Sequence, residues 1–206
     1  MSVPSDSIMV VTDIDDLVKR VALRAASDSK DLPEPVDDAQ ISEAEGLLGF
    51  ALHPLLVRLY REVADGGFGP DYRLLPLHGP GSSVVGEYMT RREASLGAEY
   101  PEWPEGVVPI LTWGCAMYAG VDCLSADGQV LLFEPNPYNG GSWEQCWFLD
   151  SAGLAAWLGT WLAGTGWFEE DAIDRDDLVE PRPWDQAASR LHSGAQPNSQ
   201  AESVSL

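Results

Sequence analysis

Basic residues are scarce in this chain. Twelve lysines and arginines stand against 33 aspartates and glutamates, a formal net charge of −21 at pH 7 over 206 residues. Such a surface repels nucleic-acid phosphates and anionic lipid headgroups, so direct binding to nucleic acid or to a membrane is not expected. It attracts basic proteins and speeds encounter with them, besides aiding solubility. Cysteine is nearly as rare. Cys115, Cys123 and Cys146 are too few and too scattered for a disulfide framework or a zinc site, and a reducing, cytoplasmic setting is expected. The three histidines, His53, His78 and His192, have no ligand spacing. No apolar run approaches the ~20 residues of a membrane span. The first residues lack the basic-then-apolar order of a secretory signal, so none is expected.

Catalytic patterns are missing too. No serine stands in a Gly-x-Ser-x-Gly elbow. Neither Gly79-Pro80-Gly81 nor Gly140-Gly141 opens a phosphate-binding helix with a lysine. Among so many carboxylates some pair always looks catalytic, and that signal is discounted. The expectation is a protein that is not an enzyme, with no catalytic residue, no cofactor and no metal.

What is present is organised around residues 107–133. Val107 to Trp113, Met117 to Leu124 and Gln129 to Phe133 read as three consecutive antiparallel strands, broken at Gly114 and at the turn Ser125-Ala126-Asp127-Gly128. Trp143 to Leu149 reads as a further strand. Tyr72 to Leu77, and more briefly Ser83 to Gly86, read as short ones. Thr12 is a candidate N-cap, with Asp13, Asp15 and Asp16 in the first turn of a helix reaching about Ala26. Its apolar stripe, Ile14, Leu17, Val18, Val21 and Ala25, must dock somewhere, on the main domain before a partner.

After a Pro33/Pro35 linker, Asp37 or Asp38 caps a helix ended by Gly49. Pro54 opens a second one, stopped by Asp65-Gly66-Gly67. Glu87 to Glu99 reads as another helix. The closing helix, capped by Asp150 or Ser151, carries Leu154, Trp157, Leu158, Trp161 and Leu162 on one face. The reading is one α+β domain over 37–168, an N-terminal helix and linker over 1–36, and an acidic, largely disordered tail over 169–206.

At the helical hairpin the series Ile41…Glu45…Leu48-Gly49-Phe50…Leu52-His53-Pro54…Leu59-Tyr60…Asp65-Gly66-Gly67 resembles the N-terminal signature of the SUKH superfamily. Leu75-Pro76-Leu77, Trp113-Gly114, Val121-Asp122 and Asp127-Gly128-Gln129-Val130 fall where that superfamily has its strands, so the resemblance covers roughly residues 38–163. His53 intervenes where the family has Leu-Pro, and Asp65 replaces an Asn; both swaps preserve the caps.

The resemblance implies a SUKH-like α+β fold, a twisted, antiparallel-rich sheet covered by short helices. It also implies a non-enzymatic, protein-binding role. Bacterial members are commonly immunity proteins that neutralise a toxin, often a nuclease, from a polymorphic or contact-dependent system. Fungal Smi/Knr members are cell-wall regulators, which gives the alternative of a regulatory adaptor or scaffold.

Of the eight tryptophans, Trp113, Trp147, Trp157 and Trp161 are expected in the core. Trp103, between prolines, and Trp143, after two glycines, lie in loop settings with Tyr138 and are expected to contact a partner. With Glu102, Glu105 and Glu134 they would form the face that covers a basic toxin. The acids of 169–180 read as a solvated run, with a docking strip for a basic partner as the alternative.

Overall fold

The structure, a computed structural model, describes residues 13–169 and 181–193. Its centre is a meander of strands β1 (Val107–Gly114), β2 (Met117–Asp122), β3 (Val130–Phe133), β4 (Trp147–Ser151) and β5 (Arg182–Pro183). They lie side by side in that order, every neighbouring pair antiparallel. The first three are the strands read from the sequence. Every residue of β3 is buried, as in a strand covered on both faces. β1 lies at a sheet edge, where Pro109 leaves no ladder hydrogen bond unmade. Cys115 and Ala116, both at positive φ (49° and 63°), join β1 to β2 in a tight reversal whose hand matches the strand twist.

Among the described residues six α-helices surround the sheet: α1 (Ile14–Asp28), α2 (Asp38–Leu48), α3 (Pro54–Glu62), α4 (Val84–Ser95), α5 (Leu154–Ala163) and α6 (Ala187–Ser193). Asp13, not Thr12, caps α1, its carboxylate accepting from the N–H groups of Asp15 and Asp16 at 2.9 and 3.3 Å. The stripe Leu17, Val18, Val21 and Ala25 is buried, and α1 packs on α3 and α5. Asp37 and Gln40 close a capping box on α2, and Gly49 ends it at φ 83°. Ser83, expected to open a strand, instead caps α4. No side chain caps α5; Gly153 precedes it, and Leu154 N–H donates to the Asp127 carbonyl at 3.1 Å.

Residues 72–77 are not a strand. One bond, Leu75 N–H to the Ile110 carbonyl at 2.8 Å, holds this extended segment to the free edge of β1. The hairpin motif clamps it from the other side. The Tyr60 hydroxyl donates to the Leu75 carbonyl at 2.7 Å, and Asp65 Oδ1 accepts from Leu77 N–H at 2.7 Å. Gly66 (φ +75°) lies so close that a Cβ there would sit 2.6 Å from the Leu75 carbonyl oxygen. Tyr60, Asp65 and Gly66 thus seat the helical hairpin on the sheet.

The folded unit runs past both boundaries read from the sequence. α1 belongs to the core. Of the expected disordered tail, residues 181–193 add β5 and α6: β5 pairs with β4, and Trp184, Ala187 and Leu191 are buried. Arg190 holds this arm down, donating to both carboxylate oxygens of Asp122 at 2.6 and 2.9 Å, with Asp122 only 1% exposed. The polar composition of 169–206 concealed these few anchors. Residues 170–180 and 194–206, with most of the expected acidic strip, lie outside the described residues.

Candidate functional site

The residues expected to meet a partner fall into different environments. Trp103 is fully buried. Tyr118, Phe133 and Trp147 stand in register across β2, β3 and β4, so they share one face of the sheet. Trp103 lies edge-on against all three, with ring centroids 5.9, 5.4 and 4.7 Å away. Its indole N–H donates to the Val107 carbonyl at 2.7 Å, and its backbone N–H to Ser95 Oγ at 2.9 Å. A residue so enclosed is core, and the expectation that it contacts a partner is corrected.

Glu102 is likewise engaged. Its carboxylate accepts from Arg91 at 2.8 Å. The Arg91 guanidinium lies over the Tyr118 ring at 4.0 Å and the Trp103 ring at 4.8 Å, closing the outer side of the aromatic cluster. Glu87 joins, accepting from the Tyr118 hydroxyl at 3.2 Å. Glu105 is exposed but stands beside α6, its carbonyl accepting from Arg190 at 2.9 Å.

Tyr138 and Trp143, by contrast, stay near the surface. They stack face to face, centroids 3.6 Å apart and planes 6° from parallel. Tyr138 is 36% exposed; Trp143 is half-buried and rests against Phe133 at 6.0 Å. Because β4 begins only at Trp147, preceded by a 3-10 turn over Glu144–Cys146, Trp143 stays in the loop instead of entering the sheet.

Short side-chain turns stiffen that loop: Glu134 accepts from Asn136 N–H at 2.9 Å, Asn139 from Gly141 N–H at 3.3 Å and Ser142 from Glu144 N–H at 3.2 Å. Tyr100, 42% exposed, joins the patch from the neighbouring loop. A hydrogen bond with Glu99 pushes its phenol pKa up, and Tyr138 is near enough to add to the shift. Composition gave little sign of Tyr100, Glu99 and Glu144; the Pro-flanked loop that presents Tyr100 was read only for Trp103. The result is an aromatic plate flanked by carboxylates: Glu134 accepts from a backbone N–H, Glu99 bonds the Tyr100 phenol, and Glu144 is exposed. A guanidinium or ammonium group suits it, by stacking on the rings and pairing with the acids.

Two of the three thiols are held protonated. Burial pushes Cys123 up to about 12 and Cys146 up to about 11. His53 is a helix-entry residue: Nδ1 accepts from Leu55 N–H at 3.3 Å, Nε2 faces the Ala126 carbonyl at 3.2 Å, and its ring packs on Gly128. Among the described residues no three His, Cys, Asp or Glu side chains converge as metal ligands. Among them, too, no helix is long and apolar enough to cross a membrane.

Residues 35–160, more than half of the chain, match the family model described as SMI1 / KNR4 family (SUKH-1). No curated protein matches the chain. The matched span holds the hairpin, β1 to β4, the Tyr138–Trp143 loop and most of α5; α1, β5 and α6 lie outside it.

Proposed function

The chain belongs to the SMI1 / KNR4 family (SUKH-1), and on that premise we propose that it is a non-enzymatic immunity protein, which binds and neutralises a basic bacterial toxin. The observation that carries this reading is the stacked, solvent-facing Tyr138–Trp143 pair, set among Glu99, Glu134 and Glu144 on a chain of net charge −21. The aromatic plate supplies anchoring area with little rotamer entropy to lose, and the surrounding charge steers a cationic protein onto it. Such a partner includes nucleases, whose substrate grooves are themselves basic.

The test is capture from native lysate at low salt with the full chain and with the double variant Tyr138→Ala/Trp143→Ala. A cationic polypeptide should bind the first and not the second, release at high salt, kill cells when expressed alone, and be tolerated when co-expressed with this chain. A captured partner that is harmless alone would favour a regulatory adaptor. Absence of any captured cationic polypeptide at low salt would overturn the reading. Removal of residues 194–206 should leave capture intact. A cut at 169 removes β5 and α6 and tests folding instead.

A further inference from the structure

A cleft that shares no lining residue with the Tyr138–Trp143 patch lies where the end of β4 meets α5 and the turn that follows it. It measures about 400 Å³ and is lined by Asp150, Ser151, Ala156, Thr160, Thr165 and Trp167, among others. That volume is within the ~300–1,000 Å³ of small-molecule sites. Among the described residues, Asp150 is its only ionisable lining residue. Trp157 Nε1–H donates to Asp150 Oδ2 at 3.2 Å, and Oδ1 takes no hydrogen bond from the described residues. The Trp167 indole N–H is buried without a partner of good geometry, yet lies close enough to draw the Asp150 pKa down.

The hydroxyls of Thr160 and Ser151 spend their protons inside the protein. Thr160 donates to the Trp157 carbonyl at 2.7 Å and Ser151 to the Gly153 carbonyl at 3.3 Å. Their oxygens therefore keep only acceptor capacity. The cleft thus offers a carboxylate, hydroxyl oxygens and an indole wall, with no resident cation among the described residues.

We propose that this cleft binds a compact organic cation, a primary ammonium or guanidinium group, with Asp150 as its counter-ion and Trp167 as the wall beside it. The ligand is a donor-only group, which complements a lining of acceptors. It also relieves a carboxylate that burial has left without a positive partner.

Burial pushes the Asp150 pKa up to about 6, against small downward pulls from Trp167 and Trp157. Among the described residues no other charged group contributes: Arg182 on β5 pairs opposite Leu149, is exposed, and leaves the carboxyl unperturbed. Affinity should therefore fall roughly tenfold per pH unit below about 6, as the carboxylate protonates. The same group reaches the cleft from a free amine or from a side chain of a bound protein, and the two sources are separable.

The experiment uses the full chain, 15N-labelled at its indoles, titrated with butylammonium, butylguanidinium and neutral butanol. Saturable shifts of the Trp157 and Trp167 indole signals with the two cations, and not with butanol, support the site. Asp150→Asn should weaken binding by about tenfold or more. Ala156→Lys, at an exposed lining position that tolerates the change, should abolish the shifts by tethering an ammonium in the cleft. Equal shifts with butanol, or binding indifferent to both variants, overturn the proposal. If a captured protein partner protects the two indoles and competes with butylammonium, the cation is a side chain of that partner; if the two bind together, it is a free amine. Loss of partner capture by Tyr138→Ala/Trp143→Ala leaves this titration unchanged, so the two readings fail separately.

Discussion

Trp103 and Trp143 begin from similar sequence surroundings and end in opposite environments. Each sits in a loop rich in proline or glycine, with glutamates close by. Around Trp103 every group is answered: the ring by the row Tyr118, Phe133 and Trp147, the indole N–H by Val107, and Glu102 by Arg91. Around Trp143 the ring is answered on one side by Tyr138, and Glu134 only by a backbone N–H. Both regions are dense in aromatics and acids, but only the second is open to another molecule. Cross-strand register decides which is which, because it gathers three aromatic side chains from separate strands beneath Trp103.

The sharpest way to break this contrast is to truncate each tryptophan. Trp103→Ala should cost about 3–5 kcal/mol of folding stability, through the cavity it leaves and the Val107 carbonyl it strands. Urea unfolding reads this, and partner affinity per folded molecule should hardly move. A loss below about 1 kcal/mol would mean that the ring is not core after all. The next effect concerns the other answered acid. Arg190→Ala leaves Asp122 buried and unpaired, and should cost about 3 kcal/mol. Adding Asp122→Asn should recover part of it. No recovery would mean that Arg190 acts by packing on Trp184, over which its guanidinium lies at 5.5 Å.

The third effect reverses the pattern. Tyr138→Ala/Trp143→Ala should change stability by no more than about 1.5 kcal/mol, the scale of a stacked pair. It should weaken partner binding by about 2 kcal/mol, roughly thirtyfold. Calorimetric titration against the captured partner, alongside urea unfolding, separates the two quantities. A large stability loss with unchanged affinity would place this pair with Trp103.

Much of the scaffold was legible from local patterns. The β1–β3 meander, the Asp37 and Gly49 caps, Pro54 at the start of α3 and the apolar face of α5 are each fixed by residues within a few positions of one another. What stayed hidden depends on distant partners. The burial of Trp103 rests on register, the neutralisation of Glu102 on an arginine eleven residues earlier, and the docking of α6 on a pair 68 residues apart. Composition marked 181–193 as tail because two aromatic or aliphatic anchors, Trp184 and Leu191, are diluted among polar residues. The candidate patch was half legible for the same reason: Tyr138 and Trp143 are close in sequence, whereas Tyr100 comes near Tyr138 through space.

A third setting for an acid, neither paired like Glu102 nor solvated like Glu144, sharpens the comparison with a smaller effect. Burial raises Asp150 from its ordinary 3.8 to about 6, so the folded state holds that proton more tightly than the unfolded chain. Its contribution is therefore favourable at low pH and is lost as pH rises through about 4 to 6. With partial exposure discounted, the loss is on the order of 1–2 kcal/mol. The other carboxylates also change stability across this range, so the informative quantity is the difference between the protein and Asp150→Asn. The variant should gain on the protein as pH rises and then level off above about 6, where the carboxylate is fully charged in both states. A difference that stays flat from about pH 4 to about pH 8 would mean water already reaches the carboxyl as freely as it reaches the Tyr138 loop.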